Sequence, residues 1–127
     1  GDSPRILLTS LPQEMHGLGL LMTEAMLKVE GATCVALGTQ TPPADIVNAA
    51  RAHQVDIVAL SFSASFPDSR AIEGLTQLRN ALPGAMDIWA GGAGAARLRK
   101  AIDGVQIVEN FEKMLLTLKQ WRGDAVE

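Results

Sequence analysis

The sequence predicts an α/β fold: a five-stranded parallel sheet in the order 2-1-3-4-5 with helices on both faces, the flavodoxin-like (Rossmann-like) arrangement. Three observations carry this expectation. Five short apolar runs alternate along the chain with stretches whose apolar residues recur at helical spacing. The runs are almost continuously apolar, as strands are when helices cover both faces of their sheet. The length of 127 residues fits one domain on the usual scale of ~100–200 residues per domain.

Arg5-Ile6-Leu7-Leu8-Thr9 is the first such run. From Leu18 an amphipathic helix is expected, its inner stripe formed by Leu18, Leu21, Met22, Ala25, Met26 and Val29 and its end set by Gly31. Thr33 to Leu37 forms the second strand, closed by Gly38. Pro42 and Pro43 open a helix, where a missing N–H costs little, and Ile46, Val47 and Ala50 face inward until it ends near His53. Asp56 to Ser61 is the third strand; Ser65 and Asp68 resemble a capping pair for a helix with Ile72, Leu75, Leu78 and Leu82 inward, stopped by Pro83-Gly84. Met86 to Ala90 is the fourth strand, Ala95 to Ile102 a short helix, and Val105 to Val108 the fifth strand. The last helix carries Phe111, Met114, Leu115 and Leu118.

Composition narrows the function. The apolar share of 47% supports a real core and excludes intrinsic disorder. Three Phe, two Trp and no Tyr predict an aliphatic core, built from Leu, Ile, Val, Ala and Met. Net charge is −3 and no basic stripe is present, so this chain alone is not expected to bind DNA; Arg97, Arg99 and Lys100 read as the wet face of a short helix. A lone cysteine, Cys34, excludes an internal disulfide and a multi-cysteine zinc site, and reads as a small core residue on a strand. No apolar run approaches the ~18 residues of a membrane span and no signal-peptide pattern is present, so the expected location is cytoplasmic. The chain starts Gly-Asp-Ser rather than Met, which reads as part of a longer protein.

In sheets of this order ligands bind beyond the carboxyl ends of the strands, near the switch point between the first and third. Three segments should converge there: Leu11 to Gly19, Ser61 to Ser65, and Gly91 to Gly94. Glu14-x-His16-x-x-Gly19 resembles the Asp-x-His-x-x-Gly signature of cobalamin-binding domains, with Glu in place of Asp. The Ser61 segment resembles that family's Ser-containing loop, and Gly91-Gly92 its Gly-Gly loop. The likeness runs from about Pro4 to Trp121, and the Glu version is most similar to the C-terminal sensor domains of MerR-type transcriptional regulators, including light-responsive repressors of carotenoid genes.

The resemblance implies that cobalamin, as adenosylcobalamin or methylcobalamin, is the cofactor and that His16 ligates cobalt from below. The expected binding residues are Glu14, Met15, His16, Gly17, Leu18 and Gly19 on the first loop, Ser61, Ser63 and Ser65 on the second, and Gly91, Gly92 and Ala93 on the third. The corrin's nucleotide tail would run between the second and third loops, with the hydroxyls bonding its polar groups and the glycines leaving room for the base. DNA would be reached only through an N-terminal domain outside this chain, and the full-length protein could be a homo-oligomer. The chemistry is sound in itself. Imidazole suits a mid-row transition metal, and a carboxylate two residues earlier can take the other ring N–H, fixing the tautomer and raising ligand basicity.

Each residue also has a plainer reading. A loop histidine is ordinarily a surface residue, Ser65 a helix cap, and Gly91-Gly92 a tight turn. Met15 packs either under the corrin or on the core, and His53 partners a helix dipole. Other functions remain open at this stage: a corrinoid-carrying module of a methyltransferase or mutase, or a degenerate domain without cofactor. A receiver domain is disfavoured because Ser61 stands where its acidic residue belongs, and a flavin site because Glu14 would oppose phosphate.

Overall fold

The apolar runs pair side by side, with one register shift, between Leu8 and Thr9 where the first pairs the second. In the computed structural model, which describes residues 3–98 and 102–123, β1 (Arg5–Thr9), β2 (Thr33–Gly38), β3 (Ile57–Ser61), β4 (Asp87–Gly91) and β5 (Gln106–Val108) form one sheet in the order β2-β1-β3-β4-β5. Every neighbouring pair is parallel. The helices are α1 (Leu18–Val29), α2 (Pro43–Ala52), α3 (Asp68–Ala81) and α4 (Phe111–Arg122). The expected order and parallel sense are therefore those found.

Alternation along each strand divides the core into two layers. Leu7, Val58, Leu60, Ile88 and Ala90 pack with Ile46, Ala50, Leu75 and Leu78 of α2 and α3. On the other face Ile6, Leu8, Ile57, Ala59 and Trp89 pack with Leu20 and Leu27 of α1 and Met114 and Leu118 of α4. Cys34 is half-buried against this second layer. The expectation of an aliphatic core needs correction: Phe62, Phe66 and Trp89 are all buried, and the two Phe rings pack at 5.4 Å between centroids. Few as the aromatics are, their burial reflects the large apolar area each carries.

The inner stripe expected of α1 is also corrected. Leu18, Leu21, Met22 and Val29 are exposed, while Leu20 and Leu27 are buried against the sheet. The helix is apolar nearly all round, so two stripes fit the 3.6-residue period and only packing on β1 and β2 selects one. Ser65 does not cap α3: that helix starts after Pro67 with no side-chain cap, and the Ser65 hydroxyl lies 3.2 Å from that of Ser63. α3 ends at Ala81, so Leu82 is buried just beyond it in extended conformation. The expected helix from Ala95 to Ile102 begins as a single 3₁₀ turn, Ala95–Leu98; Arg99, Lys100 and Ala101 lie outside the described residues. By contrast α4 has both ends defined, by the Asn110 side chain accepting the Lys113 N–H at 2.8 Å and by Gly123 in left-handed conformation.

Candidate cofactor site

The loop after β1 is fixed before it presents anything. Thr9 and Ser10 are buried and polar, and both are paired. The Thr9 hydroxyl donates to the Gly38 carbonyl at 2.8 Å and meets the Thr41 hydroxyl at 2.7 Å. The Ser10 hydroxyl accepts the Gln40 N–H at 3.2 Å and donates to the Glu14 carbonyl at 3.3 Å. Leu11 is buried, and the Glu14 N–H closes a turn on its carbonyl at 3.1 Å. These bonds tie the β1 loop to the β2 loop and direct the next side chain inward.

That side chain is Glu14, only 1% exposed. Its Oε1 accepts the Ser63 backbone N–H at 2.6 Å. Its Oε2 lies 3.1 Å from His16 Nδ1 and accepts the His16 backbone N–H at 3.3 Å. Burial by itself would raise the carboxyl pKa, but the hydrogen bonds from Ser63 and His16 outweigh it and hold the group below the ordinary glutamate value. Glu14 is therefore ionised at neutral pH and can only accept. Nδ1 of His16 must then carry the ring proton, which leaves the Nε2 lone pair for a metal. The imidazole has 72% of its surface open to solvent, so it is a donor set at the surface and oriented from below.

A cavity of about 370 Å³ opens between α1 and α4 over the carboxyl edge of the sheet, reached on the first loop's side by Gly19, within the ~300–1,000 Å³ usual for small-ligand sites. Gly19 and Thr23 of α1 form one wall, Asn110, Phe111 and Met114 the other, and Leu8, Ala59 and Trp89 the floor. Ser61, Gly91, Gly92 and Ala93 stand at the rim. A Cβ at Gly19 would project to 3.7 Å from the Ser61 hydroxyl, narrowing the slot. Buried in the floor, the indole Nε1 of Trp89 has no hydrogen-bond partner among the described residues. Leaving a donor so placed unpaired costs about 1–3 kcal/mol.

The expected residues thus fall into three groups. Glu14 and His16 are joined, with Ser63 bound in through its backbone. Gly19, Ser61, Gly91, Gly92 and Ala93 line the slot. Met15 and Leu18 are exposed beside His16, and Gly17 is the N-cap of α1. The Ser63 and Ser65 hydroxyls meet each other rather than lining the slot. Gly92 has a reason of its own: its φ is +93°, and a Cβ there would collide with the Phe62 carbonyl oxygen. Arg97, expected only as a solvated charge, latches the β3 loop by bonding Asp68 at 2.9 Å and the Ala64 carbonyl at 3.1 Å. Sequence reasoning missed Trp89, Asn110, Phe111 and Met114 as lining. The period-two alternation from Trp89 to Gly91 was the available signal, since it puts both on one face.

Among the described residues no group of three or more His, Cys, Asp or Glu could hold a metal by side chains alone, and no helix is long and apolar enough to cross a membrane. The B12 binding domain family model matches residues 4–115. The chain is 38% identical over 95 residues to the HTH-type transcriptional repressor CarH of Myxococcus xanthus, a match covering 75% of this chain and 31% of the repressor. The chain therefore spans about a third of that relative's length. Two solved structures share the fold. A cobalamin-binding protein from Desulfitobacterium hafniense DCB-2 superposes with TM-score 0.75 at 18% identity, covering 94% of this chain and 60% of that one. The monomethylamine corrinoid protein of Methanosarcina barkeri gives 0.73 at 21%, covering 91% and 57%. With its fold, its Glu14–His16 pair and the slot between α1 and α4, this chain belongs to the B12-binding domain family, whose cofactor is cobalamin.

Proposed function

We propose that this chain is the cobalamin-binding sensor part of a transcriptional regulator, with His16 ligating cobalt from the lower face and no enzymatic activity of its own. The observation that carries this reading is the Ser63–Glu14–His16 chain of hydrogen bonds, which fixes the tautomer a metal needs on a ring that is open to solvent. The residues present fit the cofactor. His16 supplies one neutral nitrogen, the slot suits the planar base of the nucleotide tail, and the buried Trp89 N–H is a donor without an acceptor.

Bound cobalamin supplies a cobalt–carbon bond that light can break, which is how such a domain would report illumination. This chain's own residues bind and orient. Glu14 keeps the proton on Nδ1, Gly19 and Ser61 set the width of the slot, and the exposed Met15 and Leu18 give apolar surface beside the metal ligand. The regulatory reading over a corrinoid shuttle is supported by the likeness to CarH, named as a transcriptional repressor. DNA contact would come from a further domain, and a cytoplasmic location follows from that role.

The test is titration of the purified chain with adenosylcobalamin and hydroxocobalamin, followed by absorption spectroscopy and calorimetry. One-to-one binding is expected, with a spectrum that reports histidine in place of the cofactor's own base. In His16→Ala the spectrum should change while the chain stays folded. Failure of both forms to bind would overturn the proposal, and a His16→Ala complex with an unchanged spectrum would overturn the ligand assignment.

A further inference from the structure

We infer that Arg97 is a positioning residue for the metal-ligand histidine: it clamps the turn after β3 so that the Ser63 N–H stays on Glu14, and Glu14 in turn keeps the proton of His16 on Nδ1. The inference rests on the His16 reading above and deepens it. Ser63 on Oε1 at 2.6 Å and the ring on Oε2 at 3.1 Å fix the plane of the Glu14 carboxylate from its two ends. The last torsion of a glutamate is soft. If the Ser63 N–H withdraws, the carboxylate turns about that bond and the ring is no longer steered. The orientation of His16 therefore depends on where the Ser63 peptide stands.

Ser63 opens a turn whose tip has no core packing of its own. Its carbonyl accepts the Phe66 N–H at 3.1 Å, and Phe62 and Phe66 are buried on the two flanks, but Ala64 and Ser65 between them are exposed. Arg97, in the 3₁₀ turn after β4, secures that tip. Its Nη2 donates to the Ala64 carbonyl at 3.1 Å and the Phe66 carbonyl at 3.3 Å, while its Nε donates to Asp68 at 2.9 Å. The planar fork thus joins the tip of the turn, its closing residue and the first residue of α3. The Asp68 ion pair is well exposed on both sides and contributes little by itself; its effect is to aim the guanidinium at the two carbonyls. Gly94 of the same loop donates to the Phe62 carbonyl at 2.9 Å and lies so near the Ser63 carbonyl oxygen that a Cβ there would collide with it. The β4 loop therefore supports the Ser63 peptide at two points while its N–H bonds Glu14. Gly91, Gly92 and Ala93 of that loop line the slot, so slot and metal ligand are joined through it.

The experiment compares the wild type with Arg97→Met, which keeps the stem and removes every donor, first without cofactor. Hydrogen exchange of the Ser63 amide should speed up roughly tenfold while the amides of β3 keep their rates. In the same variant, ¹⁵N shifts of the labelled imidazole should show His16 losing part of its Nδ1-protonated population. Arg51→Met is the control: Arg51 likewise donates to a backbone carbonyl, that of Ala81 at 2.9 Å, and its loss should leave both readouts unchanged. An Arg97→Met chain with lowered Tm but a wild-type Ser63 rate and tautomer overturns the inference, because Arg97 is then merely structural. Cobalamin titration reads the relay independently. Arg97→Met should weaken binding by roughly threefold to tenfold, less than the ~10–100-fold of losing a group that touches the metal ligand, and should add nothing in a Glu14→Gln background. Equal weakening in both backgrounds shows Arg97 acting other than through Glu14 and also overturns it. A wild type that binds no cobalamin overturns the cobalamin reading, while exchange and tautomer in the apo chain still decide the clamp.

Discussion

Replacing Glu14 by glutamine tests the centre of the site, because the change removes charge and one acceptor while keeping shape. The carboxylate takes three donors: Ser63 N–H at 2.6 Å, His16 N–H at 3.3 Å and His16 Nδ1 at 3.1 Å. Glutamine can still present its oxygen to Ser63, but as a neutral acceptor, and its NH₂ then faces the two His16 donors. A hydrogen bond to a charged group contributes about 1.5–3 kcal/mol and a neutral one about 0.5–1.5, so the Ser63 bond loses about 1 kcal/mol and the weaker His16 backbone bond less. The apo chain should lose about 1–2 kcal/mol, a fall in Tm of about 3–10 °C. The ring should also change tautomer, since an NH₂ at Nδ1 favours a bare Nδ1 and a protonated Nε2, which cannot bind cobalt. Thermal denaturation and ¹⁵N shifts of the labelled imidazole measure the two effects. An unchanged Tm together with a ring still protonated at Nδ1 would show that the carboxylate governs neither.

Two further outcomes follow from the same geometry. Because its folded pKa is depressed, Glu14 contributes stability that is present above its ordinary value of 4.5 and is lost as pH falls through the lower folded value. The gap in urea-unfolding free energy between wild type and Glu14→Gln should accordingly shrink below pH 4.5, and a gap constant from pH 7 to 3 would contradict the assigned shift. Gly92→Ala, at φ +93° and against the Phe62 carbonyl, should cost about 1–3 kcal/mol or more. Gly84→Ala, where the added methyl meets nothing within 4 Å, is the control; equal stability of the two variants would remove the structural reason for Gly92.

Much of the fold was legible because strand and helix periods differ clearly. The sheet order followed from five apolar runs separated by helices, and the site from residues that any 2-1-3-4-5 sheet brings to its carboxyl edge. What escaped was decided by packing. Both stripes of α1 satisfy the helical period, and only contact with β1 and β2 chose Leu20 and Leu27. Ser65 has the chemistry of a cap, but Pro67 already fixes the backbone at the start of α3, and the hydroxyl turned to Ser63. The role of Ser63 was hidden for another reason: it acts through a backbone N–H, which every residue but proline has.

The glutamate at position 14 departs from the aspartate of the signature that it resembles, and the geometry gives the longer acid a use. One oxygen reaches across to the end of β3 and the other returns to the ring two residues on. Aspartate is shorter by one methylene, about 1.5 Å, so it would withdraw both oxygens together. Keeping the ring bond would then release Ser63, and keeping Ser63 would release the ring, unless the turn from Leu11 to Glu14 moved. That turn is held by the Ser10 hydroxyl, the Leu11 carbonyl and the buried Leu11 side chain, and it has little freedom to follow. The extra methylene is what lets a single buried carboxylate join the β1 loop to the β3 loop and still orient the metal ligand, so the state of His16 and the packing of both loops are set by one group.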